Sequence, residues 1–282
     1  MAQGFPPKTC PMERYGLIAG NGKFPFLVLE AARSQNIEMV VAAIKEETFP
    51  DIEQAARTVH WMSLGQLGKL IKTFHQEGVT RAVMAGQVKH KQIFSSIVPD
   101  LKLLKVLANL TTRNTDSLIG AVAKVLEEEG IHLIDSTAFL QPLLPEPGLL
   151  TQRSPDDEER KDIEYGRRIA REIARLDLGQ TIVVRGQACV AIEAMEGTDA
   201  VIRRAAEITG HQRTTVIKVS KPNQNMRFDV PVIGLPTVQL MASVNASALA
   251  MDARKTLLID RDQLLEFSNR NGLSISACLP DE

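Results

Sequence analysis

Between Gln141 and Asp157 the chain carries four prolines, Pro142, Pro145, Pro147 and Pro155, together with Gly148. Proline has no backbone N–H and fixes φ, so this window excludes a continuous helix or a central strand. It is expected to close one folded unit and open another. A length of 282 residues fits two domains at roughly 100–200 residues each. The expected division is a disordered tail over residues 1–12, an N-terminal domain over 13–141, a proline-rich linker over 142–155 and a C-terminal domain over 156–282.

Ahead of the prolines, short apolar runs alternate with helical spacing. Tyr15–Ala19, Met39–Ile44, Thr58–Met62 and Thr80–Ala85 read as strands, and Ile131–Ile134 as one more. Phe26–Gln35, Leu64–Glu77, Leu101–Leu110 and Asp116–Glu129 read as helices. In the second of these, Leu64, Leu67, Leu70, Ile71 and Phe74 recur at the spacing of one helix face. A βαβ rhythm of this kind implies an α/β fold, a Rossmann-like parallel sheet with helices on its faces. The second half opens with a charged helix, Asp156–Arg175. Strands follow at Ile182–Arg185, Cys189–Ala194, Thr215–Val219, near Val230–Leu235 and at Thr256–Ile259, with helices Ala200–Thr209 and Asp262–Arg270. This half is α/β or α+β.

Composition removes several function classes. Basic and acidic residues number 33 and 34, for a net charge of −1, whereas phosphate-neutralising nucleic-acid binders carry a basic excess. The longest apolar run is Met39–Ile44, far short of the ~20 residues of a membrane span. Residues 1–11 lack the apolar core of a signal peptide. Cys10, Cys189 and Cys278 are widely separated and read as reduced thiols in a cytoplasm. The five histidines show no metal-ligand spacing, so any metal is expected to be a hard ion held by carboxylates and phosphate oxygens.

Five segments could carry chemistry. Gly20-Asn21-Gly22 follows a strand, and Pro25 starts the next helix. Small residues admit a phosphate close to the backbone, and a helix N-terminus offers it free N–H groups; the same residues also make a plain tight turn. Gly86 and Gln87 end another strand, on the carboxyl edge where parallel sheets bind ligands. Asn114, Thr115 or Asp116 caps a helix, or Asp116 accepts hydrogen bonds from a ligand. In Glu193-Ala194-Met195-Glu196-Gly197-Thr198-Asp199 two acids, Glu196 and Asp199, could reach one metal while Thr198 meets a phosphate, with Arg203 about one turn further on; helix capping is the competing use. Last, Lys218, Lys221, Arg227 and Asp229 flank a proline turn. Splitting a diphosphate ester requires neutralised charge and a carboxylate to hold metal or take a proton from water, although an exposed salt bridge would use the same residues.

In order, the chain presents G-L-I-A-G-N-G-x-x-P, M-A-G-Q-V, T-D-S-L-I-G, R-L-D-L-G-Q ending at Gln180, E-G-T-D-A, K-V-S-K-P and R-F-D-V-P-V-I-G. From about residue 13 onward this set resembles the UDP-2,3-diacylglucosamine pyrophosphatases of the LpxI type. The resemblance implies Mg²⁺-assisted hydrolysis of UDP-2,3-diacylglucosamine to UMP and 2,3-diacylglucosamine 1-phosphate, a step in lipid A synthesis. It implies a cytoplasmic enzyme at the inner face of the inner membrane, with substrate held between two domains, and leaves a homodimer open. The Asp essential to catalysis in R-x-D-x-P-x-I-G falls on Asp229. Asn21 stands in a loop that is often all glycine, and Gln87 where Asn is frequent.

On that basis Asp229, with Glu196 or Asp199, is expected to position Mg²⁺ and water, and Lys221 and Arg227 to stabilise charge. Gly20, Asn21, Gly22, Gly86, Gln87, Asp116, Gln180, Gly197, Thr198, Arg203 and Lys218 are the expected substrate contacts. Val88–Leu104, where Lys89, His90 and Lys91 mix with Ile93, Phe94, Ile97 and Val98, is expected to meet acyl chains or the membrane surface, unless it is a plain surface helix. A nicotinamide-dependent oxidoreductase and a non-catalytic nucleotide-sugar sensor are the competing classes. Pro25 in place of the third fingerprint glycine speaks against the first.

Overall fold

A computed structural model describes residues 13–88, 98–110 and 115–280. Cys10, the segment from Lys89 to Ile97, Thr111–Asn114 and the side chain of Asp116 lie outside the described residues. The chain divides into two units after Phe139.

In the first unit, β1 (Arg14–Ala19), β2 (Glu38–Ile44), β3 (Thr58–Met62), β4 (Arg81–Ala85) and β5 (His132–Leu133) form one parallel sheet in the order β3-β2-β1-β4-β5. The helices are α1 (Phe24–Ser34), α2 (Ile52–Ala55), α3 (Leu67–Gln76), α4 (Leu101–Ala108) and α5 (Thr115–Glu128). Met39–Ile44 is buried throughout because both faces of a parallel sheet are covered. Leu67, Leu70, Ile71 and Phe74 are the buried stripe of α3, as their spacing requires. Leu64 and Gly65 lie in a turn ahead of that helix rather than inside it.

The second unit holds β6 (Gly148–Leu149), β7 (Thr181–Arg185), β8 (Ala188–Ile192), β9 (Thr214–Lys218), β11 (Ala246–Asp252) and β13 (Ser274–Cys278) in one mixed sheet, ordered β6-β13-β11-β9-β7-β8. β9, β11 and β13 run parallel, while β7 joins β9 and β8 joins β7 antiparallel. A separate parallel pair joins β10 (Val232–Gly234) to β12 (Leu257–Ile259). The helices are α6 (Asp157–Arg175), α7 (Thr198–Thr209), α8 (Leu235–Ser243) and α9 (Arg261–Arg270). One buried apolar cluster, including Val201, Val216, Ile233, Met241 and Leu249, gathers residues of β7–β13, α7, α8 and α9; another, including Ala170, Ile182, Ile217 and Ala250, gathers residues of α6 and three strands.

Asp156 caps α6 through a reciprocal pair with Glu159, each side chain accepting from the other's backbone N–H at 2.9 Å. Glu159 is buried, and Arg153 meets it with both guanidinium ends at 2.7 and 2.8 Å. Ser247 donates to it at 2.5 Å, and Arg213 lies 3.1 Å away. Burial pushes the Glu159 carboxyl up, but these donors outweigh burial and hold it below the usual range.

The proline segment differs from the expected linker, because it is sewn into the second unit. Gly148 and Leu149 pair with Ala277 and Ser276, Leu150 N–H donates to Ile275 at 2.8 Å, and Arg254 N–H donates to Pro145 at 2.9 Å. At its edge position β6 tolerates neighbouring prolines, which a central strand would not. The short helix α2 is not assigned from the sequence, and three elements of the second unit also depart from that reading. Leu235–Ser243 is a helix with Pro236 in its first turn, while β11 and β13 are strands with no strand assigned to them from the pattern.

Candidate functional site

Two sets of strand ends carry the expected site residues. In the first unit β1 and β4 are neighbours, and the strand order reverses between them, which is where open parallel sheets take ligands. Just past their carboxyl ends the two loops zip together. Gly20 N–H donates to Ala85 at 2.8 Å, Asn21 N–H to Gln87 at 2.8 Å and Gln87 N–H back to Asn21 at 3.0 Å. Gly86 has φ +94°, and a Cβ there would stand 2.7 Å from the Asn21 carbonyl, so both conformation and space demand glycine. Asn21 Nδ2 donates to the Glu47 carbonyl at 3.0 Å. The Gly20, Asn21 and Gln87 N–H groups are thus spent on backbone carbonyls across the two loops rather than turned outward as a phosphate cradle. Gly22 and Lys23 complete the passage to α1.

In the second unit the centre is Lys218, the last residue of β9 and only 6% exposed. Its Nζ donates to Thr198 Oγ1 at 2.7 Å and to Thr181 Oγ1 at 3.3 Å. The Thr198 hydroxyl in turn donates a hydrogen bond to Glu193 Oε1 at 3.0 Å. Thr181 and Thr198 stand 3.2 Å apart; with the Thr198 proton committed, Thr181 is the donor between them. Burial depresses the Lys218 ammonium below its ordinary 10.5, opposed by the nearby negative charge of Glu193, Asp229 and Asp199. Asp199, in the first turn of α7, accepts from Thr237 Oγ1 at 2.8 Å. The close packing of the strand-end loops is visible at Gly179, where a Cβ would stand 2.0 Å from the Glu193 carbonyl.

Beside this cluster Lys221 Nζ lies 2.7 Å from Asp177 and 3.7 Å from Asp229. Gln224 braces the pair: its Oε1 accepts from Lys221 N–H at 2.7 Å and its Nε2 donates to the Asp229 carbonyl at 2.6 Å. Arg227 Nε donates to Asn225 at 3.0 Å. The structure therefore brings Lys218, Thr198, Asp199, Lys221 and Asp229 together. Glu196 is committed elsewhere, to Arg204 at 2.5 Å and to the Ala194 N–H at 2.9 Å. Backbone and arginine hydrogen bonds hold its carboxyl below the usual range. Arg203 is exposed on α7, and Gly197 is the residue preceding that helix. Gln180 joins through its backbone, its N–H 3.4 Å from Glu193 Oε2 and its carbonyl accepting from Val219 at 2.9 Å.

Thr181, Thr237 and Gln224 escaped the sequence reading, while Glu193 and Asp177 lay inside motifs but carried no assigned role. The usable signal was weak: polar residues at the ends of apolar strands, where buried polar groups need a reason.

Among the described residues, no three His, Cys, Asp or Glu side chains gather closely enough to hold a metal ion unaided. Mg²⁺ commonly takes one or two carboxylates and fills its shell with water and substrate phosphates. Asp199 and Asp229, both acting on Lys218, fit that sparse kind of site. Glu196 does not.

The comparisons agree with this two-part layout. Residues 14–143 match the model of the LpxI N-terminal domain and residues 146–276 that of the LpxI C-terminal domain. A curated relative from Caulobacter vibrioides, UDP-2,3-diacylglucosamine pyrophosphatase LpxI, is 30% identical over 96% of this chain and 99% of its own length. Among solved structures, a biotin carboxylase domain of a thermophilic 2-oxoglutarate carboxylase reaches TM-score 0.28 at 14% identity, covering 61% of this chain and 35% of that one. The corresponding Hydrogenobacter thermophilus domain also reaches 0.28, at 13% identity over 70% and 41%. Likeness at that level carries no argument. Fold and site together define a two-unit α/β protein whose second unit places buried lysine and carboxylates at its strand ends. The chain belongs to the LpxI family.

Proposed function

We propose that this protein hydrolyses the diphosphate bond of UDP-2,3-diacylglucosamine to UMP and 2,3-diacylglucosamine 1-phosphate, in lipid A synthesis. The observation that carries the reading is the meeting of Lys218, Lys221, Asp199 and Asp229 in the family-matched second unit. The name of the 30% identical relative supports the substrate.

The oxygen of a water molecule adds to one phosphorus, and the bridging oxygen leaves with the other. Asp229 takes a proton from that water at its carboxylate, and Lys221, Lys218 and Arg227 neutralise the phosphate oxygens. Asp199 and Asp229 would be the residues to hold Mg²⁺, which would supply further charge neutralisation at the phosphates.

The test is UMP release from the diacylated UDP-sugar by purified protein with Mg²⁺. Asp229→Asn is expected to lower kcat by about 10²–10⁴-fold, the range for loss of a general base. Absence of UMP release by the wild type overturns the activity; tight nucleotide-sugar binding without turnover would then favour the sensor.

The substrate carries two acyl chains, so a cytoplasmic enzyme must meet the membrane surface. No helix among the described residues is long and apolar enough to cross a membrane. Val98, three residues ahead of α4, and Leu101, its first residue, are 86% and 79% exposed, with Leu104 exposed beyond them. We assign them to acyl-chain or bilayer contact. Leu101→Asp is expected to weaken sedimentation with anionic liposomes; unchanged sedimentation removes the assignment.

A further inference from the structure

The chemistry above leaves several buried carboxylates unused, and Asp252 is the one tied to the segment that carries Lys218 and Lys221. Asp252 ends β11 and is 1% exposed. Its Oδ2 accepts from both the main-chain N–H and the hydroxyl of Ser220, each at 2.8 Å. Its Oδ1 accepts from Arg171 of α6 at 3.0 Å, and Arg167 stands 3.9 Å away. β11 lies parallel beside β9, with Met251 opposite Lys218. Ser220 is thus the residue by which the end of β9 is tied to its neighbouring strand, and it sits between Lys218 and Lys221 in the chain.

A carboxylate is costly to bury unless its lone pairs are satisfied. Here the oxygens serve a loop residue on one side and arginine on the other. An apolar pair would fill the same space without fixing the main chain. Lys218 and Lys221 leave that main chain two residues before and one residue after the tied N–H, and small errors in the placing of charge are felt in the transition state.

We infer that Asp252, held by Arg171, is a positioning residue that clamps Ser220 and so fixes the segment presenting Lys218 and Lys221 to the diphosphate. This rests on the function proposed above for those two lysines.

The experiment compares wild type, Asp252→Asn, Ser220→Ala and the double variant by UMP release, scaled to folded protein from near-UV circular dichroism. Asp252→Asn is expected to lower kcat by about tenfold or more with KM within about threefold. Ser220→Ala, which keeps the main-chain bond, is expected to lower kcat by about two- to fivefold. The double variant is expected to match Asp252→Asn, because both changes cut one clamp. Folded Asp252→Asn with kcat within twofold of wild type overturns the inference, and so do losses that multiply in the double variant. If Asp252→Asn does not fold, unchanged kcat in Ser220→Ala overturns it and the expected fall supports it. Titration with inorganic pyrophosphate reads the clamp without turnover: at least threefold weaker binding in Ser220→Ala supports it and equal binding overturns it. An inactive wild type therefore refutes the proposed activity and leaves the clamp to be decided by pyrophosphate.

Discussion

The two units bring opposite materials to their strand ends. Among the described residues of the first unit, Glu47 is the sole charged side chain counted as buried; the second unit buries Glu159, Asp162, Glu193, Lys218 and Asp252. At the carboxyl edge of the first sheet, backbone meets backbone through Gly20, Asn21, Gly86 and Gln87. At the corresponding ends in the second unit, ionisable side chains meet one another through threonine hydroxyls. Backbone carries geometry but no titratable charge, so the contrast separates a unit suited to shape from one suited to reaction.

The comparison breaks first at Glu159. Its carboxylate sits among Arg153, Arg213 and Ser247; the arginines are partly exposed, so the loss is that of charged hydrogen bonds, about 1.5–3 kcal/mol. Glu159→Ala is expected to destabilise the second unit by that order, read as a lower urea midpoint. The sign with pH follows from its lowered folded pKa. The wild-type increment is present above the unfolded carboxylate value and is lost as pH falls through the folded one. Glu159→Ala should therefore flatten the acid limb. An unchanged midpoint would mean that the second unit does not depend on its buried charge.

Lys218 sharpens the contrast. Lys218→Met is expected to lower kcat by about 100-fold, as for loss of one charge-stabilising group. Because burial lowers its pKa below 10.5, the unfolded chain binds more protons between the folded value and 10.5. Stability therefore rises with pH through that window, while activity falls as the ammonium is lost. Melting temperature and kcat measured on the alkaline limb should move in opposite directions, and Lys218→Met should remove Lys218's contribution to the rise.

The smallest effect tests the first unit. Gly86→Ala forces a Cβ against the Asn21 carbonyl at a left-handed φ, at a cost of about 1–3 kcal/mol. Thermal unfolding should report it. Asn21→Ala, which leaves the backbone bridge intact, should cost less; the reverse ranking would show that side chains, not backbone, hold this edge.

The same contrast explains what could be read in advance. The first sheet was legible because Met39–Ile44 and Tyr15–Ala19 are apolar runs ended by loop residues, and each βαβ step is local in sequence. The central strand β11 is Ala-Ser-Ala-Leu-Ala-Met-Asp. Its small residues, without a β-branched one, give no strand signal, and its place comes from β9 and β13 on either side. Pro236 looked like the end of a strand and is the first turn of α8. In the site, Lys218, Thr198, Asp199, Lys221 and Asp229 lay in recognisable motifs. Thr181 and Thr237 did not, and Glu193 stood at the head of one without a role, because these roles arise only when β7, the β8–α7 loop and α8 meet around one ammonium. Glu196 shared a motif with Asp199, but Arg204, two turns along the helix, draws it away.

The stitched proline segment governs how the second unit can be handled alone. A fragment beginning at residue 156, where the prolines seem to end a linker, would lose β6 and Arg153 together. That cut uncovers the edge of β13, a template for pairing with other chains, and strips Glu159 of its guanidinium partner. A fragment beginning at Leu140 keeps both. The difference should separate a monodisperse second unit from one that aggregates on expression.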